Sequence, residues 1–337
     1  MEKRVFFFDL LRCMAAIAVI AIHVLAPYRH ELGTIPMNEW FVAITVNGFS
    51  RWAVPVFIMI TGALMLNDTR PFNAKYYVSR RLGKVLIPFI IWSLFYAYLS
   101  GWSEGGYDSG VAFDTLKNVL HKETYYHLGF FYYFIPLYFV IPFFQILVQK
   151  TDDLAIFAFL SIWILTTALF LFRIDGPWSH QLWLYSGYLL LGYVLYKKVP
   201  LTKGMVTFFV ILGAIGLFSS VWMVATESIA QDKYTFGRWL SYKTLNTVVA
   251  ASMVFMLCRQ FGEGLRQSTR KVVGFISQNS LGIYILHPIF LWPMKEFEWF
   301  HGHPMWVIPL WILLSGSGAL FVSWILSKSN RTSWLLP

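Results

Sequence analysis

The chain is dominated by apolar runs that are about as long as a lipid bilayer is thick. A helix of about 20 residues crosses the hydrocarbon core, and runs of roughly that length occur at 6–27, 42–66, 83–101, 128–149, 154–172, 182–196, 204–225, 243–258, 272–294 and 304–327. Backbone groups inside a bilayer must bond within their own helix. We therefore predict an all-α fold, a polytopic membrane helix bundle of about ten transmembrane helices. The composition, 57% apolar and 13% charged, agrees with this class.

The second run, 42–66, is interrupted by polar residues and a proline. Pro55 follows the stretch from Asn47 to Arg51. A proline removes one helix hydrogen bond, and a broken helix is tolerated at membrane depth only beside protein or a cavity. The sequence therefore predicts a broken or interfacial segment beside a cavity or protein, with Arg51 at membrane depth.

The positive charges favour one orientation of the bundle. With the N-terminus in the cytoplasm and the spans alternating, seventeen of the 27 lysines and arginines fall in cytoplasmic segments and eight in outer ones. Cytoplasmic loops carry such an excess, so both termini are expected inside. Topology then explains the net charge of +10, and no nucleic-acid partner is needed. We expect one integral membrane domain, 1–337, without an appended soluble domain.

Three ionisable residues in the first run carry the strongest functional signal. Arg12 and His23 are eleven residues apart, about 16.5 Å and three turns plus roughly 20° of a helix, so both lie on one face. Asp9 precedes Arg12 by three residues and is close enough to orient its guanidinium. Ionisable groups are costly in a membrane and usually mark a substrate or proton path. The alternative is an Asp–Arg pair that only holds helices together.

A basic run after the second span supplies a second set of candidates. It contains Arg80, Arg81 and Lys84. Arginine forks match phosphate oxygens, so the run is a candidate phosphate clamp for a cofactor delivered from the cytoplasm. Ordinary topology and attraction to anionic membrane lipids explain the same charges equally well.

Histidines near the outer rim form a third set. His127 begins the fourth span, and Tyr284 and His287 share a face of the ninth. Polar groups inside a span indicate a lined cavity, with interfacial packing as the alternative for His127. His23 and His287 are expected at similar depth, because both helices run outward. No HxxxH or histidine–carboxylate spacing supports zinc, so no metal is expected.

Taken in order, these strings resemble the acyltransferase 3 family of bacterial inner-membrane acyltransferases over nearly the whole chain. The strings are Phe8–Arg12 with His23, Val54–Gly62, Ser79–Pro88, Tyr126–Leu128, and Ser280–Tyr284 with His287. The Arg-x10-His element is the most specific, and the others count mainly through their order. Two positions depart from the family, since Gly129 stands where tryptophan is common and Lys84 where arginine is common.

The resemblance implies transfer of an acyl group, usually acetyl from acetyl-CoA on the cytoplasmic side, to a hydroxyl of a glycan or glycolipid at the outer face. A neutral imidazole suits removal of a hydroxyl proton, so His23 is the candidate general base. Arg12, held by Asp9, would bind donor phosphate or stabilise charge developing on the acyl oxygen. The remaining candidates are Arg80, Arg81 and Lys84 for the donor, and His127, Tyr284, His287 and Arg51 for the acceptor.

Two other functional classes fit the same sequence. A transporter or flippase for a polysaccharide or polyprenyl-linked intermediate also has many spans, a broken helix and intramembrane charges. An internal inverted repeat would favour that class, but the two halves show no matching pair of broken spans. The other is a non-catalytic subunit of a polysaccharide assembly complex, in which His23 would be dispensable.

Overall fold

A computed structural model describes residues 5–336, and their structure is almost wholly helical. The helices are α1 Phe7–Val24, α2 Met37–Ser50, α3 Ala53–Met65, α4 Ala74–Tyr77, α5 Gly83–Leu99, α6 Ser109–Lys117, α7 Gly129–Lys150, α8 Asp153–Leu171, α9 Gln181–Lys197, α10 Lys203–Ala230, α11 Leu245–Phe261, α12 Gln267–Gln278, α13 Ser280–Glu296 and α14 Pro304–Ser327. A two-stranded antiparallel hairpin, β1 Trp102–Ser103 and β2 Gly106–Tyr107, lies between α5 and α6.

The predicted all-α membrane bundle is confirmed. Within residues 5–336, eight helical segments are long and apolar enough to cross a membrane: Phe7–Val24, Met37–Met65, Ala74–Leu99, Tyr126–Lys150, Asp153–Leu171, Lys203–Ala230, Leu245–Gly264 and Pro304–Ser327. The two remaining predicted runs correspond to α9 and α13, which have 17 residues each. We name the two ends of the bundle after α1, as the Arg12 end and the His23 end.

The second predicted span is broken where the sequence indicates. Helix α2 ends at Ser50 and α3 begins at Ala53. Pro55 has no N–H for the Arg51 carbonyl, so the regular bonding of α2 cannot pass through this point. The turn between the two helices carries Arg51.

The prediction of one continuous ninth span over 272–294 is wrong. Helix α12 ends at Gln278, and α13 starts after Asn279. The Asn279 side chain donates to the Phe275 carbonyl at 2.9 Å and accepts from the Ser323 hydroxyl at 3.0 Å. Such side-chain bonds compete with the helix backbone. Helix α12 is polar on one face, and only α13 enters the bundle interior, where most of its residues are buried.

Close contact between α3 and α9 fixes the centre of the bundle. A Cβ added at Gly62 would overlap the backbone of Leu189, and one added at Gly192 would overlap the backbone of Met59. Glycine is therefore needed on both helices at their crossing, as is common where membrane helices approach closely. This close contact anchors α3, which follows the Arg51 turn.

Candidate active site

The first turns of α1 hold Asp9 and Arg12 together. The Asp9 carboxylate is buried, accepts from the Ser277 hydroxyl of α12 at 2.8 Å, and lies 3.7 Å from the Arg12 guanidinium. A carboxylate in the first turn of a helix also interacts favourably with the helix dipole. Asp9 is therefore a fixed counter-charge behind Arg12, whose side chain is 31% exposed.

Arg12 lines a cavity of about 290 Å³ at the Arg12 end of the bundle. Four of the predicted cations line this basic cavity together: Arg12, Arg80, Arg81 and Lys84. The other walls are apolar and aromatic, among them Phe57, Phe134 and Tyr138. The spacing of the four residues along the chain gives no direct reason for this convergence. The fold brings Arg12 of α1, the arginines that follow α4 and Lys84 of α5 to one cavity.

A π-helical turn positions the two arginines. It runs from Val78 to Leu82, between α4 and α5. Such turns inside α-helices are frequent at functional sites because they change the register of the side chains. One of the two arginines is partly neutralised: Asp68 lies 3.6 Å from Arg81 and is bonded to Arg70. The bond from Arg70 holds the pKa of the Asp68 carboxyl below its usual range.

His23 lines a second cavity, of about 330 Å³, at the opposite end of the bundle. We call it the histidine cavity. The His23 ring is half-buried and lies 4.7 Å from the Tyr126 ring and 5.2 Å from the His287 ring, between centroids. The cavity lining is completed by Val19, Ile22, Val54, Glu123, Tyr126, His127, Gly129, Phe130, Tyr133, Gln181, Tyr185, Tyr242 and Tyr284.

The backbone of α13 fixes the tautomer of His287. Pro288 lacks the N–H that would bond the Tyr284 carbonyl. His287 Nδ1 lies 2.8 Å from that carbonyl and 3.1 Å from the Ile283 carbonyl. Carbonyl oxygens only accept, so Nδ1 carries the proton and Nε2 has the lone pair. That Nε2 is buried and has no hydrogen-bond partner among the described residues.

Tyr284 connects the two cavities. Its hydroxyl donates to the His127 carbonyl, and its side chain lines both the basic cavity and the histidine cavity, as does Phe130. His127 lies 5.8 Å from His287 between ring centroids. Tyr284 and Phe130 therefore lie between the two cavities, where the predicted faces of α1 and α13 meet.

Arg51 reaches the histidine cavity from the α2–α3 turn. Its Nε donates to Asn47 Oδ1 at 3.0 Å and its NH1 to the Tyr242 hydroxyl at 3.1 Å. Tyr242 in turn lines the cavity. The structure thus places Arg51 at the edge of the cavity, with its guanidinium held by two neutral partners.

Several cavity residues were not among the sequence candidates. The buried Tyr126 hydroxyl has no hydrogen-bond partner within residues 5–336. Tyr133 stacks on Tyr185 at 4.0 Å, and Glu123 and Gln181 supply polar groups. Only the aromatic run that contains Tyr126 gave a sequence signal, since it flanks His127. No group of three or more potential metal ligands occurs in the described part of the chain.

The family model described as an acyltransferase domain matches residues 5–328. No curated protein and no solved structure gives a significant match. The matched range extends from before α1 to the end of α14 and contains every residue of the two cavities.

Proposed function

Because the chain belongs to the acyltransferase family whose model spans residues 5–328, we propose that it transfers an acetyl group from cytoplasmic acetyl-CoA to a glycan. The acceptor is a hydroxyl of a cell-surface or lipid-linked glycan at the outer face of a bacterial inner membrane. The observation that carries the proposal is the pair of cavities that meet at Tyr284 and Phe130. One cavity is basic and the other contains His23.

The basic cavity suits the phosphate end of acetyl-CoA. Guanidinium and ammonium groups bind phosphate oxygens through charge-assisted hydrogen bonds, and Arg12, Arg80, Arg81 and Lys84 converge there. Arg12 lies about 16.5 Å along α1 from His23, so it cannot contact a carbonyl that is attacked beside His23. Of the two roles open to Arg12, donor binding fits this distance. To reach His23, the extended pantetheine arm would have to pass between the two cavities at Tyr284 and Phe130.

The chemistry at the histidine cavity is the attack of an acceptor hydroxyl on the thioester carbonyl. His23 takes the hydroxyl proton as the new C–O bond forms, and the C–S bond then breaks. The thiolate of CoA leaves and receives a proton from the His23 imidazolium, so the products are an ester and free CoA. The Tyr126 hydroxyl, beside His23 and otherwise unbonded, is suited to donate to the carbonyl oxygen as it becomes negative.

The acceptor would bind in the histidine cavity, which His127 lines, with Arg51 beside it on Tyr242 and His287 stacked on His23. Gly129 leaves space at this rim, because a Cβ there would meet only ordinary contacts with Glu123. Ser50–Pro55 and Tyr126–Leu128 resemble the O-acetyltransferase that modifies enterobacterial common antigen. A repeat-unit glycan of that kind is therefore the first acceptor to test.

The experiment measures transfer of labelled acetyl from acetyl-CoA into glycan or glycolipid by membranes that contain the protein. Wild type is compared with His23→Ala and with His121→Ala at matched expression. His121 is exposed and lies on the loop after α6, outside both cavities, so it is the matched control. We expect label with wild type and His121→Ala, and none above background with His23→Ala.

Other results would point to other functions. Equal label in all three proteins would remove His23 as the base and leave acyl transfer standing. Absence of label with acetyl-CoA, succinyl-CoA and longer acyl-CoAs would contradict acyl transfer by this chain. Uptake of a polyprenyl-linked glycan into proteoliposomes would then favour the transporter or flippase, and loss of glycan assembly without transport would favour a non-catalytic subunit.

A further inference from the structure

Three cations lie near the histidine cavity but outside its lining, and only Arg51 was expected there. Arg29 lies after α1 with its guanidinium 5.7 Å from the centre of the Tyr234 ring. Lys295, near the end of α13, has its ammonium 3.7 Å from the centre of the Tyr126 ring. All three side chains are half-buried.

Neutral groups link Arg29 to Arg51 and link Arg51 to the cavity, whereas Lys295 contacts the cavity through the Tyr126 ring. Asn47 Nδ2 donates to the Tyr234 hydroxyl at 3.0 Å, and Asn47 Oδ1 accepts from Arg51. Arg51 lies over the Tyr242 ring at 5.2 Å. Tyr126 and Tyr242 both line the cavity. Lys295 and Arg51 are also within electrostatic range of His23.

Among the described residues, no carboxylate forms an ion pair with any of the three cations. The ion pairs within residues 5–336 are all formed by other residues. Glu123 is the acidic side chain among the residues that line the cavity, and it forms none of those pairs. Burial lowers the pKa of the Arg29 guanidinium, and the Arg51 charge acts in the same direction. Like charges held together without a counter-ion are unfavourable.

The arrangement leaves donors available for a ligand. A guanidinium has five N–H donors in a planar fork and no acceptor. Arg51 uses one on Asn47 and one on Tyr242, so its orientation is fixed while its other donors remain. Binding sites in which groups are held in position before the ligand arrives lose less conformational entropy on binding.

We infer that the acceptor carries an anionic group, which binds between Arg29, Arg51 and Lys295 and brings a neighbouring hydroxyl to His23. The group is a carboxylate of an acidic sugar or a phosphate that joins the glycan to its lipid carrier. That the ligand is an acyl acceptor rests on the proposed function. The anion site itself is tested by binding alone.

The test uses the full-length protein purified in detergent, without acetyl-CoA, so that binding is measured separately from transfer. Two pairs of probes distinguish the sources of the charge. One pair is a glucuronic acid oligosaccharide and its neutral glucose counterpart, and the other is decaprenyl diphosphate and decaprenol. Dissociation constants are measured at low and high salt for wild type, Arg29→Gln, Lys295→Gln and Lys117→Gln. Lys117 is an exposed cation on α6 outside the cavity.

We expect one anionic probe to bind about 10-fold or more tightly than its neutral partner. Arg29→Gln and Lys295→Gln should each remove most of that difference, Lys117→Gln should keep it, and salt should reduce it. If Arg29→Gln proves unstable, Arg29→Lys takes its place. It retains the charge and should keep part of the affinity for the anionic probe. Equal binding of charged and neutral probes, or unchanged binding in both glutamine variants, would overturn the inference. If the protein bound the anionic probe but transferred no acyl group, the anion site would stand and the proposed function would be wrong.

Discussion

The rings of His23 and His287 stack with their centroids 5.2 Å apart and their planes inclined at 27°. Both imidazoles are therefore close enough to serve one hydroxyl. They differ in access, since His287 is fully buried and bonded through Nδ1 to the α13 backbone, whereas His23 is half-buried and lines the cavity. A general base must come within hydrogen-bond reach of the proton it takes. This difference favours His23 as the base and His287 as its support.

Replacement of each histidine should separate these roles. We expect His23→Gln to lower kcat for acetyl transfer by about 10²–10⁴-fold, because glutamine cannot take a proton. His287→Gln should cost about 10-fold, since the amide can retain the backbone bond while the Nε2 lone pair is lost. Rates with saturating acetyl-CoA, together with pH profiles, check the order. A larger loss with His287→Gln than with His23→Gln would transfer the role of base to His287.

The Tyr126 hydroxyl should act on the transition state and contribute little to ground-state binding. Tyr126→Phe keeps the ring that contacts His23 and Lys295 and removes only the unbonded hydroxyl. Loss of one oxyanion donor typically costs about 10²–10³-fold in kcat, and KM for the acceptor should change little. Tyr132→Phe, whose hydroxyl bonds the Val119 carbonyl, is the matched control. A rise in KM at constant kcat would instead make Tyr126 an acceptor-binding residue.

The basic cavity should govern the affinity for acetyl-CoA. Arg80 is exposed and lines the cavity, so Arg80→Gln should raise KM for acetyl-CoA by about 10-fold with kcat nearly unchanged. Arg81→Gln should have a smaller effect, because Asp68 already shares that charge. Lys75→Gln, on α4 and outside the cavity, is the control. KM is measured for acetyl-CoA and for the acetyl thioester of dephospho-CoA. If Arg80→Gln changed neither value, Arg80 would have no part in donor binding.

Helix periodicity was sufficient to predict the part of the site that lies on single helices. Arg12 and His23 share a face of α1 because eleven residues make almost a whole number of turns, and Tyr284 and His287 follow the same rule on α13. The broken second span was also readable, since Pro55 follows a polar stretch. These features depend on local geometry, which the sequence encodes directly.

Features that depend on contacts between distant segments could not be predicted in this way. Arg29 and Lys295 are 266 positions apart, and only the fold brings them within electrostatic range of each other. The break at Asn279 depends on Ser323, 44 residues later. The role of Tyr126 follows from its buried and unbonded hydroxyl, and no spacing rule reports burial of that kind.

Close contact of α3 with α9 makes a stability prediction that is independent of function. Gly192→Leu would force a side chain into the Met59 backbone, and overpacking of this kind typically costs about 1–3 kcal/mol or more. We expect a lower thermal midpoint in detergent and a reduced yield of monodisperse protein. Gly204→Ala, where a Cβ would meet nothing within 4 Å, should be neutral. Equal midpoints for both variants would show that the two helices can separate without cost.

We expect Pro288 to affect acetyl transfer, because it leaves the Tyr284 carbonyl without its regular helix hydrogen bond. Pro288→Ala supplies an N–H that can bond the Tyr284 carbonyl, which now accepts from His287 Nδ1 at 2.8 Å. The two donors would compete, so His287 loses part of what fixes its tautomer while α13 gains a regular helix bond. We expect transfer to fall several-fold with an equal or higher thermal midpoint. Pro293→Ala, in the same helix but without a histidine on the released carbonyl, should leave transfer unchanged. If both variants kept full activity, the bond from His287 to the Tyr284 carbonyl would have no bearing on the reaction, and the Ile283 carbonyl at 3.1 Å would suffice to hold the ring.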